Sequence, residues 1–137
     1  METEYKEYES LSFSSTIENL SVAESLIDKT CSELKLKEDH YANILIAVTE
    51  AVNNAIKHGN NEDPNKNVSI LVFDKPKKLE VVVSDQGQGF DFNSLPDPTA
   101  PENIEKEHGR GIFLMKTLSD DVEFIENGRK VVLSFNK

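Results

Sequence analysis

The chain has 137 residues, of which 37% are hydrophobic and 29% charged, a length and composition typical of one folded domain, here residues 1–137. The formal net charge of −10 argues against nucleic acid as a direct partner, because no basic stripe is present to neutralise phosphates. Every apolar run is too short to span a bilayer, and the acidic N-terminus lacks the regions of a signal peptide, so we expect a cytoplasmic protein without membrane contact.

The first part of the sequence predicts a strand followed by a helix. Residues 5–15 alternate loosely between apolar and polar residues, which favours a strand at an edge of a sheet. Ser15 and Ser21 each precede a glutamate by three residues, the form of a capping box, so a helix is predicted to begin between them and to end near Leu34. Cys31 falls at helical spacing with the apolar residues of this helix, so we interpret it as a core residue rather than a nucleophile.

A second helix is predicted over Glu38–Gly59. At ~100° per residue, one side of it is an apolar stripe that faces the core, formed by Tyr41, Ile44, Leu45, Val48, Val52, Ala55 and Ile56. Glu50 and Asn54 lie opposite this stripe, one turn apart. A solvated helix face is the simpler interpretation of this pair, but Ile46 and Ala47 lie on the same side and indicate that something covers it. A carboxylate and an amide oxygen one turn apart suit a proton acceptor and a ligand of hydrated Mg²⁺.

The rest of the chain predicts two hairpins, one long loop and one short helix. The predicted strands are Val68–Phe73, Leu79–Ser84, Val122–Ile125 and Lys130–Phe135. Asn127-Gly128 is a strong turn signal between the last two strands. Residues 91–108 carry three prolines and little apolar patterning, which is typical of a lid or binding loop. This order of elements predicts an α+β fold, a two-layer sandwich with a mostly antiparallel mixed sheet and helices on one face.

Two glycine pairs flank the long loop. Gly87 and Gly89 follow a strand and Asp85, where either a tight turn or the close approach of a ligand explains glycine, and where Asp85 is placed to accept a hydrogen bond from a base amine. Gly109 and Gly111 open the short helix, where free N–H groups and the helix dipole favour phosphate. Neither pair is a Rossmann fingerprint, and the sequence has no P-loop, eukaryotic-type kinase motif or zinc spacing.

The order and spacing of these three segments resembles the ATP-binding boxes of the gyrase and histidine-kinase ATPase superfamily, the Bergerat fold. Residues 50–59 (EAVNNAIKHG) resemble its N box, residues 85–91 (DQGQGFD) its first glycine box and residues 108–116 (HGRGIFLMK) its second. The resemblance extends over residues 10–136 and is closest to the small anti-sigma-factor serine kinases of bacteria, which share the short length and the wording TEAVNNAIKHG. It implies that the chain uses ATP and Mg²⁺.

The resemblance also implies a role for each matching residue. Glu50 would be the general base, Asn54 would bind the Mg²⁺ that bridges the phosphates, and Asp85 would recognise the adenine amine. The remaining implied nucleotide contacts are Gly87 and Gly89 beside the base and ribose, Gly109, Arg110 and Gly111 around the phosphates, and Lys57 at the border of the site, with residues 91–108 as the ATP lid. For Lys57 and Arg110, solvent exposure is the alternative to a phosphate contact.

The partners expected from the resemblance are proteins. The substrate would be a serine or threonine of a STAS-type anti-anti-sigma protein, the second partner would be a sigma factor held inactive, and the chain would form a homodimer. Two other functions stay open: a nucleotide-sensing binding module without phosphotransfer, and a phosphatase- or receptor-associated regulatory domain that acts with other chains. Glu50 favours the kinase, because a module that only binds nucleotide has no need of a general base.

Overall fold

A five-stranded sheet and three α-helices make up the described part of the computed structural model, which covers residues 6–87 and 107–137. The strands are β1 (Lys6–Ser14), β2 (Asn67–Asp74), β3 (Lys78–Ser84), β4 (Asp121–Ile125) and β5 (Lys130–Asn136). The helices are α1 (Leu20–Glu33), α2 (Glu38–Asn54) and α3 (Glu107–Leu118). Short 3₁₀ turns lie at Ile17–Asn19 and Glu126–Gly128. The predicted α+β class is confirmed.

The strands lie in the order β1-β2-β3-β5-β4, and each of these neighbouring pairs is antiparallel. β1 lies at one edge, as predicted, and both predicted hairpins form. Because β5 lies between β3 and β4, the end of β3 meets the start of β5: Ser84 pairs with Lys130, and the Asp85 N–H donates to the carbonyl of Arg129 at 2.9 Å. The sheet order therefore places Asp85 beside the turn between β4 and β5.

The three helices cover one face of this sheet, and α2 packs against both α1 and α3. Three residues of the predicted stripe, Ile44, Val48 and Val52, are fully buried in α2, and each contributes about 1.5–3 kcal/mol through burial. Ala47 is also fully buried, as its side of the helix suggested, whereas Ile46 remains 42% exposed. None of the helices in the described ranges combines the length and apolar composition that a membrane span requires.

Cys31 lies in this core, as the sequence predicted. Burial raises the pKa of its thiol to about 11, and the nearby Asp28 adds to the effect. A thiol with such a pKa is almost wholly protonated at neutral pH, so Cys31 packs as a small apolar residue and is a poor nucleophile.

The two predicted capping boxes do not form. Neither α1 nor the 3₁₀ turn before it has a side-chain hydrogen bond at its N-cap. The Ser15 hydroxyl is buried and donates instead to the carbonyl of Lys66 at 2.6 Å, which joins the end of β1 to the start of β2. Ser21 lies inside α1 and donates to the carbonyl of Glu18 at 3.0 Å. The position of the helix start was predicted correctly, but a tertiary contact takes the first serine.

The helical segment that contains α2 ends at Gly59, as predicted, but its last turn is not α-helical. Ala55–Gly59 form a π-helical turn, and the Asn60 N–H donates to the carbonyl of Ala55 at 2.9 Å. The residues with positive φ that follow are Asn61 and Glu62, at 54° and 56°, so Gly59 does not have the left-handed conformation that is common for a glycine at a helix C-terminus. Since a π-helical turn holds one residue more than an α-helical turn, it changes the direction in which Gly59 and Asn60 face.

Candidate functional site

Glu50 and Asn54 converge on the backbone of α3. An ideal Cβ atom built on Gly111 would lie 3.0 Å from Glu50 Oε1 and 3.3 Å from both Oδ1 and Nδ2 of Asn54. The two side chains therefore reach one patch of space, as their helical spacing predicted, and α3 is the element that covers their side of α2. Glycine at position 111 lets these two side chains approach the backbone of α3.

The carboxamide of Asn54 is the most unusual polar group of the site. Its Oδ1 and Nδ2 are both shielded from solvent, and neither has a hydrogen-bond partner within residues 6–87 and 107–137. Leaving a buried polar group unpaired costs about 1–3 kcal/mol, so such groups are rare in folded proteins and point to a missing partner. An amide oxygen is a suitable ligand for Mg²⁺.

The donor set around Asn54 also fits Mg²⁺ better than a metal held only by protein. Among the described residues, no group of three or more His, Cys, Asp or Glu side chains is arranged to hold a metal ion. Mg²⁺ commonly keeps several waters and binds one or two side chains together with substrate phosphates. A single amide beside the carboxylate of Glu50 is compatible with that mode of binding.

Asp85 and Gly87 form a turn at the end of β3 that packs directly on Gly59. The Gly87 N–H donates to Asp85 Oδ1 at 2.8 Å. An ideal Cβ atom on Gly59 would lie 2.3 Å from Asp85 Oδ2, and one on Gly87 would lie 1.9 Å from the carbonyl oxygen of Gly59. Close approach of the two segments therefore requires both glycines. Burial raises the pKa of Asp85, and the Gly87 N–H and the charges of Arg129 and Lys66 oppose this effect.

Asn60 holds this turn in place through hydrogen bonds, although the sequence did not identify Asn60 as a site residue. Its side chain is fully buried. Oδ1 accepts a hydrogen bond from the Gln86 N–H at 2.8 Å, and Nδ2 donates to Ser15 Oγ at 2.7 Å and to the carbonyl of Asn67 at 3.0 Å. Gln86 Oε1 in turn accepts from the Asn67 N–H at 2.6 Å. An asparagine among Asn, Asp and Pro residues is typical of a turn, so only the tertiary structure shows its part here.

A small open cavity of about 30 Å³ lies between these two parts of the site. Its polar lining includes Asn54 and Asp85, and its apolar lining includes Val83, Ile112 and Met115. Pockets for small ligands combine apolar walls with a few placed polar groups in this way. In the sequence, Ile112 and Met115 show only the spacing of an apolar helix face, so the sequence did not identify this wall.

The structure gives less detail on the other predicted site residues. Gly109 is partly buried and Arg110 is exposed in α3, and Lys57 is partly buried in the π-helical turn. Gly89 and residues 91–106 of the predicted lid lie outside the described residues, and the roles suggested for all of these residues stay predictions. Since α3 begins at Glu107, the last two residues of the predicted lid belong to this helix.

Known proteins resemble this chain over most of its length. The family of the histidine kinase-like ATPase domain matches residues 13–136. The chain is 31% identical over 126 residues to the serine-protein kinase RsbW of Bacillus subtilis (strain 168), which covers 88% of this chain and 78% of that protein. It is 33% identical over 101 residues to the serine-protein kinase RsbW of Bacillus cereus (strain AH820), with coverage of 69% of this chain but only 62% of the relative, so it spans less than two thirds of that protein.

A solved structure shows the same fold. The crystal structure of the RsbU and RsbW domains of a Mycobacterium tuberculosis protein matches 94% of this chain with a TM-score of 0.57, although the sequence identity is 14%. The match covers 32% of the mycobacterial chain. At this identity the likeness supports the architecture described above and not the role of any residue.

Proposed function

Since the chain belongs to the histidine kinase-like ATPase family and, within it, to the group of RsbW serine-protein kinases, we propose that it is an ATP-dependent protein serine/threonine kinase. Its substrate in this proposal is a STAS-type anti-anti-sigma protein, and its second partner is a sigma factor, which it holds inactive in the cytoplasm. The observation that carries the proposal is the convergence of Glu50 and the unpaired Asn54 amide on Gly111. The homodimer expected from the resemblance stays a prediction.

The phosphate end of the site is formed by α2 and α3. Asn54 would hold Mg²⁺ through Oδ1, and the ion, when bound, neutralises charge on the β- and γ-phosphates. Gly109, Arg110 and Gly111 lie in the first turns of α3, where the positive end of the helix dipole favours phosphate oxygens. Ligand binding would then satisfy the Asn54 amide.

Glu50 is the group that makes transfer possible in this scheme. Its carboxylate accepts the proton of the serine or threonine hydroxyl while the hydroxyl oxygen attacks the γ-phosphorus and ADP leaves. The base must lie beyond the γ-phosphate, and the position of Glu50, one turn before Asn54 on the same side of α2, supports this role. A binding module without phosphotransfer would use the same cavity but would have no use for this carboxylate.

The base end of the site is formed by the turn after β3. Asp85 accepts a hydrogen bond from the adenine amine in this proposal, and Gly59 and Gly87 allow the backbone segments to close around it. Ile112 and Met115 supply the apolar wall against which a planar base can pack. Adenine is therefore preferred to guanine, whose carbonyl oxygen at the same position would face a carboxylate.

The test is phosphotransfer with purified proteins. The chain is incubated with labelled Mg·ATP and each STAS-type protein encoded in the same genome, and phosphoserine and phosphothreonine are identified by mass spectrometry. We expect transfer to one of these proteins. Glu50→Ala is the matched variant: it should leave nucleotide binding largely intact and lower the transfer rate by about 10²–10⁴-fold, the range for a lost general base.

Two results would contradict the proposal at different points. ATP binding without transfer to any of these proteins would favour the nucleotide-sensing module. Equal losses of binding and transfer in Glu50→Ala would show that Glu50 supports the site rather than acting as its base.

A further inference from the structure

Asn60 connects the base end of the site to the helix that carries Glu50 and Asn54. We infer that Asn60 is a positioning residue for base recognition, which holds the turn Asp85–Gly87 in place through the backbone of Gln86. The inference rests on the proposed function, since it uses Asp85 as the residue that recognises adenine. Asn60 itself is fully buried, so in this inference it acts through Gln86 and not by contact with the nucleotide.

The hydrogen bonds of Asn60 leave its side chain no freedom to rotate. Oδ1 is held by the Gln86 N–H, and the two hydrogens of Nδ2 are held by Ser15 Oγ and the carbonyl of Asn67. A carboxamide has two donor hydrogens, and both are used. Because the Asn60 side chain is fully buried and its three bonds are to protein groups, its Oδ1 sets the position of the Gln86 N–H.

The π-helical turn brings Asn60 to this position. The Asn60 N–H bonds to the carbonyl of Ala55, which lies directly after Asn54. The same π-helical turn places the carbonyl oxygen of Gly59 against Gly87. Asn60 thus holds the turn Asp85–Gly87 at Gln86, and Gly59 contacts it at Gly87. Loss of the hydrogen bond between Asn60 and Gln86 would let the Asp85 carboxylate move relative to the cavity.

If Asn60 had a purely structural role, the expected results would differ. A substitution at Ser15 distinguishes a structural role from a positioning role. Ser15→Ala removes two hydrogen bonds of the same network, those from Asn60 Nδ2 and to the carbonyl of Lys66. It leaves the bond between Asn60 Oδ1 and the Gln86 N–H in place. If Asn60 only stabilises the fold, both substitutions should lower the melting temperature and neither should change base preference.

The experiment measures dissociation constants for Mg·ATP and Mg·GTP, together with melting temperatures, on the full chain and its variants. Asn60→Ala should lower the ATP-over-GTP preference about tenfold, by weakening Mg·ATP binding. Ser15→Ala should melt at a lower temperature but keep the preference. Asn60→Asp keeps an acceptor for the Gln86 N–H, so this variant should retain most of the ATP-over-GTP preference. If Asn60→Ala does not fold, Asn60→Asp is measured in its place. Asp85→Asn marks the preference left when recognition by Asp85 is lost.

Each result decides the matter. An unchanged preference in Asn60→Ala, or in Asn60→Asp a fall as low as that in Asp85→Asn, would overturn the inference. A fall of equal size in Ser15→Ala would show that general loosening of the network is responsible. A wild-type chain without any preference for ATP would remove the proposed role of Asp85, and the inference with it. Absence of phosphotransfer alongside a normal preference would contradict only the proposed kinase activity.

Discussion

The two ends of the candidate site satisfy their buried polar groups in opposite ways. At the base end, the Asn60 amide has three hydrogen bonds, and Asp85 accepts one from Gly87. At the phosphate end, both polar atoms of the Asn54 amide are buried without a partner among the described residues. The base end is therefore complete before a ligand binds, whereas the phosphate end holds an unfavourable group that a ligand would satisfy.

The glycines of the site show the same contrast. Gly87 lies against the carbonyl oxygen of Gly59, a backbone atom that cannot move alone. Gly111 lies against the ends of two side chains, Glu50 and Asn54. A side chain added at the base end must displace the fold, whereas one added at the phosphate end competes mainly with a ligand.

The largest effect that would test this contrast is expected for Gly87→Ala. The new Cβ atom would lie 1.9 Å from the Gly59 carbonyl oxygen, so β3 and the π-helical turn would have to separate. We expect a loss of unfolding free energy at the upper end of the range for overpacking, about 3 kcal/mol. Urea unfolding of the ligand-free chain measures it.

Gly111→Ala is the matched change at the phosphate end. Alanine is favoured over glycine inside a helix by about 0.5–1 kcal/mol, and the flexible Glu50 side chain can yield to a Cβ atom 3.0 Å away. We expect little change or a small gain in unfolding free energy, with weaker Mg·ATP binding. Equal destabilisation by the two substitutions would remove the contrast.

The second prediction applies one substitution, Asn to Ala, at both ends. Asn54→Ala deletes an unpaired amide, so the unfolding free energy of the ligand-free chain should change by less than about 1 kcal/mol. Asn60→Ala deletes an amide with three partners and leaves the Gln86 N–H and the Asn67 carbonyl unpaired, which should cost about 2–4 kcal/mol.

The order reverses when Mg·ATP is added to these two variants. Asn54→Ala should weaken the magnesium dependence of ATP binding about tenfold, in proportion to one lost ligand. Asn60→Ala should keep that dependence, since its network lies at the base end. Calorimetric titration with ATP, with and without Mg²⁺, measures both. A strongly destabilised Asn54→Ala chain would mean that this amide has a structural partner.

The same contrast explains what the sequence could predict. β3 was predicted within one residue because Leu79, Val81 and Val83 alternate with residues of the other face, a local pattern. Glu50 and Asn54 were paired correctly because their spacing on one helix is also local. The phosphate end, whose residues come from one helix and one helix start, was therefore largely visible in the sequence.

The base end depends on residues far apart in the chain. Asn60 binds the backbone of Gln86, 26 residues away, and Ser15 binds the carbonyl of Lys66, 51 residues away. Ser15 has the spacing of a capping box, and Asn60 lies in a sequence typical of a turn, so local patterns gave both residues a different role. The unpaired state of Asn54 was equally hidden, because it depends on α3 folding over α2.

The smallest predicted effect concerns pH at the base end. Burial raises the pKa of Asp85 above its ordinary value of 3.8. A carboxyl group whose pKa is higher in the folded chain must ionise at a cost, so its contribution to folding stability is lost as pH rises from the unfolded pKa through the folded pKa. The side chain of Asn in Asp85→Asn cannot ionise. The difference in unfolding free energy between wild type and variant should therefore shift in favour of the variant across that pH window, and should stay constant above it.

Urea unfolding at a series of pH values measures this difference and cancels the titration of the other carboxyl groups. A difference that stays flat, or that shifts in favour of the wild type as pH rises, would mean that hydrogen bonds outweigh burial at Asp85 and that the base end stabilises its charge as completely as it satisfies its amides.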